Sequence, residues 1–329
     1  MPLDGFHRDI NYLRISVLDA CNLRCTYCMP LEGARFLPTS ELLTPAEIRT
    51  VVEVAVSVGF RKFRLTGGEP TLRRDLEEIV RAVRGVPGVT RLAMTTNGLL
   101  LPELAPALVA AGLDRVNIHI DTLNPDRLRQ VMRRNELERA WAGIEAAETA
   151  GLTPIKLNTV VVRDVNDADV VELARLTIER DWHVRFIELM PLGSDEPARY
   201  SRERYVSSAE TRTRLEAALG ALEFEPSQNP SDESRNFRFS GARGVIGFIS
   251  PVSEPFCGTC NRLRLTADGK FHLCLLKNDE LDVRAALRGG GGALEVERIL
   301  KQAVGDKPIG HELMRGNSNT RLAMHQVGG

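Results

Sequence analysis

Three cysteines stand within eight residues, Cys21, Cys25 and Cys28, in the spacing C-x3-C-x2-C. The chain holds six cysteines, and the other three, Cys257, Cys260 and Cys274, form a second group with the spacing C-x2-C-x13-C. Where thiols are kept reduced, cysteines grouped this way bind metal or do redox chemistry rather than form disulfides. Each group is one ligand short of the four that close a structural zinc site. A [4Fe–4S] cluster suits such a set, because three irons take protein sulfur and the fourth stays open to an outside ligand. Zinc is the competing reading. The first group has no fourth Cys or His nearby. At the second, His272 is a possible fourth ligand, although it lies two residues from Cys274 in a hairpin strand, which is tight for one ion.

The segments around these residues alternate between strand-like and helical. Strand patterns run over 12–18, 62–67, 91–97, 115–121, 154–162 and 183–190, with amphipathic helical stretches between them. The first helix starts with Thr44 as N-cap and Pro45 in the first turn, and Gly59 stops it. Repeated strand–helix units imply a parallel sheet with right-handed crossovers. Five of the six strands carry one apolar and one polar face; Leu13, Ile15 and Val17, for example, oppose Arg14 and Ser16. An open parallel sheet covered on both sides is apolar on both faces. A recurrent polar face therefore predicts a curled sheet with a polar lumen rather than the alternative, a solvated face of an open sheet, because exposed parallel faces are rare. In such a barrel the first cysteine group, following the first strand, sits at the functional end. Beyond residue 200 the pattern becomes a helix (207–220), a polar loop (223–236) and antiparallel strands, one hairpin turning at Asp268-Gly269. The run 288–292, RGGGG, follows no strand and lacks the Lys-Ser/Thr ending of a phosphate loop, so it is a turn.

The 43 basic and 44 acidic side chains leave a net charge of −1, which does not mark a nucleic-acid binder. No apolar run reaches membrane-spanning length, and the first residues lack the apolar core of a signal peptide. A cytoplasmic protein without nucleic-acid or membrane partners is expected.

The first cysteine group, with Tyr27 between its last two members, resembles the signature of the radical S-adenosylmethionine (SAM) enzymes, and "TGGEP" (66–70) resembles their second motif. Paired glycines suit that place, since backbone approaches a ligand closely where no Cβ intervenes. The second group, in "CGTCNRLRLTADGKFHLCL", and the tail "MHQVGG" resemble the GTP 3′,8-cyclase family, the molybdenum-cofactor biosynthesis protein A family. The resemblance implies an α/β fold: a partial (β/α)6 TIM-like radical SAM barrel (1–225) with a C-terminal α+β extension (226–329) carrying a second iron–sulfur cluster. It implies that Cys21, Cys25 and Cys28 hold a [4Fe–4S] cluster that binds SAM, and that Cys257, Cys260 and Cys274 hold another. Tyr27, Gly68 and Met190 match SAM contacts; Arg14, Arg64, Thr95, Lys156 and the stretch Arg262-Leu263-Arg264 match GTP contacts. Gly328 and Gly329 match a tail that enters the active site. The implied reaction is conversion of GTP to (8S)-3′,8-cyclo-7,8-dihydroguanosine 5′-triphosphate, the first step of molybdenum cofactor biosynthesis. Implied partners are an electron donor, the downstream cyclic pyranopterin monophosphate synthase, and a second copy in a homodimer.

Two departures from the family pattern stand out. The segment before the first cysteine reads Leu18-Asp19-Ala20 where T-D-R is usual, and His119 in "NIHID" takes the place of a serine that contacts SAM. The alternatives are another radical SAM enzyme with an auxiliary cluster, such as a peptide maturase, and a non-catalytic iron–sulfur carrier or zinc-stabilised binding protein. The R-x-R after Cys260 and the Gly-Gly tail speak against the first, and TGGEP with a polar lumen against the second.

Overall fold

Six strand–helix units build the first half of the protein, on β1 (Tyr12–Ser16), β2 (Lys62–Thr66), β3 (Arg91–Thr96), β4 (Arg115–His119), β5 (Lys156–Val161) and β6 (His183–Glu188). The structure, a computed structural model, describes all residues except 30–33, 193–194, 228, 312, 314–322 and 329. The first helix, Pro45–Val58, begins in a capping box: Glu47 N–H donates to Thr44 Oγ1 (3.2 Å) and Thr44 N–H to Glu47 Oε2 (2.8 Å). It ends at Gly59, whose φ of +126° suits glycine alone.

The second half adds β7 (Leu222–Glu225), β8 (Arg235–Phe239), β9 (Val245–Ile249), β10 (Arg262–Leu265), β11 (Lys270–His272) and β12 (Glu280–Asp282). All strands form one sheet in the order β12-β11-β10-β1-β2-β3-β4-β5-β6-β9-β8-β7. The expected hairpins exist, β8–β9 and β10–β11. One strand of each also lies parallel to the barrel, β9 beside β6 and β10 beside β1. The parallel run therefore has eight strands, not six. Every residue of β9 and β10 is buried, which is why these strands extend the parallel sheet. Leu222–Glu225, whose last three residues fall in the expected polar loop, pairs with β8 as an edge strand.

One cavity is lined at once from β1, β2, β3, β4, β5, β6, β9 and β10, so the sheet is curled. Among the described residues β9 and β10 do not pair, so the barrel stays open along that seam. The outward side chains Leu13, Ile15, Phe63, Leu65, Leu92, Met94, Val116, Ile118 and Leu157 are buried at 0% exposure under the helices. The alternation seen in sequence thus separates a helix-covered core from a polar lumen.

Candidate active site

The six cysteines all line the lumen cavity, which has a volume of about 310 Å³. Strand direction separates the two groups. Cys21, Cys25 and Cys28 follow the C-terminal end of β1, whereas Cys257 and Cys260 precede the N-terminal end of its parallel neighbour β10, and Cys274 follows the returning β11. The groups therefore sit at opposite ends of the lumen. The side chains between them occupy four strand residues, about 13 Å of rise.

Within each group the thiols feel one another: Cys28 interacts with Cys21 and Cys25, and Cys257 with Cys260 and Cys274. Burial pushes the first three thiols up to about 11, 11 and 12. A site of this kind needs bound cationic metal to hold thiolates. Leu23 N–H already points at Cys21 Sγ, 3.3 Å away, as a donor to a ligating sulfur does. In the second group burial also raises Cys260, but Arg262 and Lys307 outweigh it and bring the thiol down to about 7. Gly310 makes room there, since a Cβ would fall 3.0 Å from Cys257 Sγ. These donor sets fit iron–sulfur clusters. His272 does not line the cavity; its Nδ1 lies 3.5 Å from Glu280 Oε1, so it is not placed as a fourth zinc ligand.

The GGE turn packs directly on the first cysteine loop. Gly68 N–H donates to Leu18 O and Glu69 N–H to Ala20 O, both at 2.8 Å. Gly68 is obligatory, because a Cβ would lie 2.3 Å from Ala20 O and 2.4 Å from Asp19 O. Glu69 is buried and accepts from Thr71 Oγ1 and Thr96 Oγ1 (2.6 Å each) and from Asn97 N–H (2.7 Å). Burial still holds its carboxyl above the usual range. Tyr27, Gly68, His119 and Met190 all face the cavity. Tyr27 Oη lies 2.7 Å from His119 Nε2 and donates to Asp121 Oδ2 at 2.6 Å, and His119 Nε2 is 3.0 Å from the same carboxylate oxygen. Burial opposes a charge on His119, but Asp121 prevails and raises it to about 10.

The lumen wall is strongly cationic. In register across β10, β1 and β2, Arg264, Arg14 and Arg64 stand side by side. One layer nearer the second cysteine group, Arg262 and Lys62 flank Tyr12. Arg64 donates to Tyr12 Oη and to Thr95 Oγ1 (3.1 Å). Burial and the neighbouring guanidiniums bring Arg14 down to about 10 and Arg264 to about 9. Lys156 lies on β5 outside the cavity lining; burial, then Arg185, lower it to about 7. Leu263 is the outlier among the sequence-derived site residues. It is fully buried and alternates away from Arg262 and Arg264 into the core, so only its backbone is available to the lumen.

The chain's final helix, Met324–Val327, reaches the same cavity. His325 Nδ1 lies 3.3 Å from Cys28 O, and Gly328 O accepts from Arg264 Nη1 at 2.8 Å. Gly328 is thus docked against the arginine row; Gly329 lies outside the described residues. Sequence reasoning missed Arg8, which donates to the carbonyls of Cys257 (2.7 Å), Pro308 (2.7 Å) and Ile309 (2.9 Å) and so ties down the second cysteine loop. It also missed Glu188, which accepts from Val252 N–H (3.0 Å), Ser253 N–H (2.9 Å), Ser208 N–H (2.9 Å) and Tyr205 Oη (3.0 Å). No spacing motif marks either residue, since each acts on backbone distant in sequence.

Residues 15–177 match the Radical SAM superfamily, and residues 182–313 match Molybdenum Cofactor Synthesis C. A GTP 3′,8-cyclase of Pelotomaculum thermopropionicum is 49% identical over 328 residues, spanning 99% of both chains. One from Moorella thermoacetica is 45% identical, again over 99% of both.

The chain belongs to the GTP 3′,8-cyclase family.

A cyclase from Picosynechococcus sp. is 44% identical across 97% of this chain and 99% of its own. Among solved structures, Streptococcus suis SuiB bound to S-adenosylmethionine superposes with a TM-score of 0.60 at 15% identity, over 92% of this chain and 67% of that one. That likeness shows the radical SAM fold. GTP 3′,8-cyclase relatives at this coverage do not favour the peptide-maturase alternative.

Proposed function

We infer that this protein is a radical SAM lyase that converts GTP to (8S)-3′,8-cyclo-7,8-dihydroguanosine 5′-triphosphate in molybdenum cofactor biosynthesis. The observation that carries this reading is the placement of two cysteine groups at opposite ends of one lumen with a row of arginines between them. Cys21, Cys25 and Cys28 would hold the [4Fe–4S] cluster, which with SAM and one electron from a donor would supply the radical chemistry that removes the ribose 3′ hydrogen.

The chain's own residues bind, orient and shield. Tyr27, Gly68, His119 and Met190 bound the SAM end, with Gly68 letting backbone approach the ligand. Arg14, Arg64, Arg262 and Arg264, with Thr95, take the polyphosphate and ribose; Lys156, behind the cavity lining, adds its charge to that GTP site, and the Leu263 backbone completes the wall. Fixed guanidiniums in a walled site bind such an anion well. Cys257, Cys260 and Cys274 would hold the second cluster, at the end of the lumen proposed for the guanine base. Holding C3′ close to C8 is most of what the protein contributes to ring closure. Gly328 closes the site beside Arg264, and Gly329, outside the described residues, is assigned to the same catalytic tail.

We assign residues 1–225 to the SAM-binding barrel and 226–329 to the region for the second cluster and substrate. None of the described helices is long and apolar enough to cross a membrane; a cytoplasmic enzyme is proposed, which receives electrons from an electron donor, hands product to cyclic pyranopterin monophosphate synthase, and pairs with a second copy.

The test is anaerobic reconstitution with iron and sulfide, then SAM, reductant and GTP. Wild type yields 5′-deoxyadenosine and a cyclised nucleotide. Cys25→Ala yields neither and retains about half the iron, that of the second cluster. Zinc at either cysteine group of active protein overturns the reading.

A further inference from the structure

The loop before β8 carries an acid that the reaction does not use. Glu233 Oε2 lies 2.7 Å from Arg262 Nη1, and its Oε1 lies 3.9 Å from Arg185 Nη1. Its side chain is 22% exposed. Glu233 and Phe256 are the two residues that line both the lumen and a neighbouring cavity of about 310 Å³, whose wall includes Asp232, Arg235 and Glu254. The Arg262 guanidinium stacks 4.7 Å from the Phe256 ring centroid. Glu233 therefore stands in the partition between the two cavities, close to the seam where β9 and β10 do not pair.

Charge explains why an acid belongs there. Arg14, Arg64, Arg185 and Arg262 all act on Glu233, and despite burial they hold its carboxyl far below the usual range. Buried guanidiniums aligned side by side repel, and an unpaired buried cation is costly. An internal anion lets this wall fold before any ligand supplies negative charge. The same carboxylate then competes with any anion for Arg262, because two anions on one partly buried guanidinium repel each other. The second cavity gives the displaced side chain a partly solvated place to go.

We propose that Glu233 is a displaceable counter-ion that holds Arg262 and yields it to the polyphosphate of the substrate, thereby setting the protein's affinity for anionic ligands. The proposal rests on the reading that the lumen arginines take the phosphates of GTP.

The test measures equilibrium binding of GTP, inorganic tripolyphosphate and guanosine to the cluster-loaded protein. Glu233→Gln removes the competing charge and keeps the shape. It should tighten GTP and tripolyphosphate by at least about ten-fold, the low end for a close charge pair, and leave guanosine unchanged. Glu233→Asp, one methylene short of Arg262, should tighten both in the same direction and serves if the amide does not fold. Weaker GTP binding with tripolyphosphate unchanged would make Glu233 a contact for the base and overturn the proposal. No change for either ligand would make the ion pair permanent and overturn it equally. Arg64→Ala reports separately on the lumen: if GTP and tripolyphosphate bind it as tightly as wild type, the phosphate reading itself fails.

Discussion

Gly328→Ala tests whether the tail belongs to the active site. Gly328 has φ +73° and ψ 94°, and its carbonyl accepts from the buried Arg264 Nη1 at 2.8 Å. An added Cβ would lie 2.7 Å from Thr66 Cγ2 and 3.2 Å from Ser16 Cβ, both on barrel strands that cannot retreat far. The left-handed backbone costs an L-residue about 1–2 kcal/mol, and overpacking against a strand adds about 1–3 kcal/mol. Even about 2 kcal/mol shifts the docked-to-undocked ratio about 30-fold. Amide hydrogen exchange over 324–328 reads the docking directly, and product formed per 5′-deoxyadenosine reads its consequence. We expect protection in this segment to fall about 30-fold, iron content and SAM affinity to stay at wild-type levels, and cyclised product per 5′-deoxyadenosine to drop sharply. Undiminished protection would refute the steric reasoning. Lost protection with unchanged coupling would show that the docked tail contributes nothing to the reaction.

Gly68→Ala should drive a Cβ into the carbonyls of Asp19 and Ala20, displacing Cys21; iron at the first group falls and SAM affinity drops by about ten-fold or more, while the second group loads normally, as separate EPR signals of the two clusters would report. Lys156 sits near pKa 7 through burial and Arg185, so at pH 8 it is mostly neutral and a bound polyphosphate recharges it. GTP binding at pH 8 should therefore take up a proton, and affinity should fall as pH rises through 7; calorimetry in buffers of different ionisation enthalpy measures the uptake, which Lys156→Met should abolish. In His119→Ser the new side chain is too short to span from Tyr27 to Asp121, and SAM binding should stay intact or improve; a large loss of SAM affinity would show a His-dependent contact.

Local pattern in the chain announced much of this protein. Two incomplete thiol sets called for clusters with an open iron, and a period-two alternation on five strands put Arg14, Arg64, Thr95, Asn117, His119 and Asn158 on the lumen face, where they are found; Lys156, on the same face of β5, lies outside the cavity lining. The same alternation, applied to β10, sends Leu263 into the core between its two arginines. These features are legible because strand geometry and metal-ligand count act over a few residues. Tertiary structure alone decided what those residues face. The row Arg264–Arg14–Arg64 arises from the register of three strands, one of them some 250 residues away, and register is a property of pairing rather than of any one segment. The joining of β9 and β10 to the parallel run, Arg8 on the backbone of the second cysteine loop, and Glu233 on Arg262 are contacts between distant segments. An isolated Arg or Glu in a polar loop looks like any solvated charge; only burial beside a particular partner turns it into part of the site.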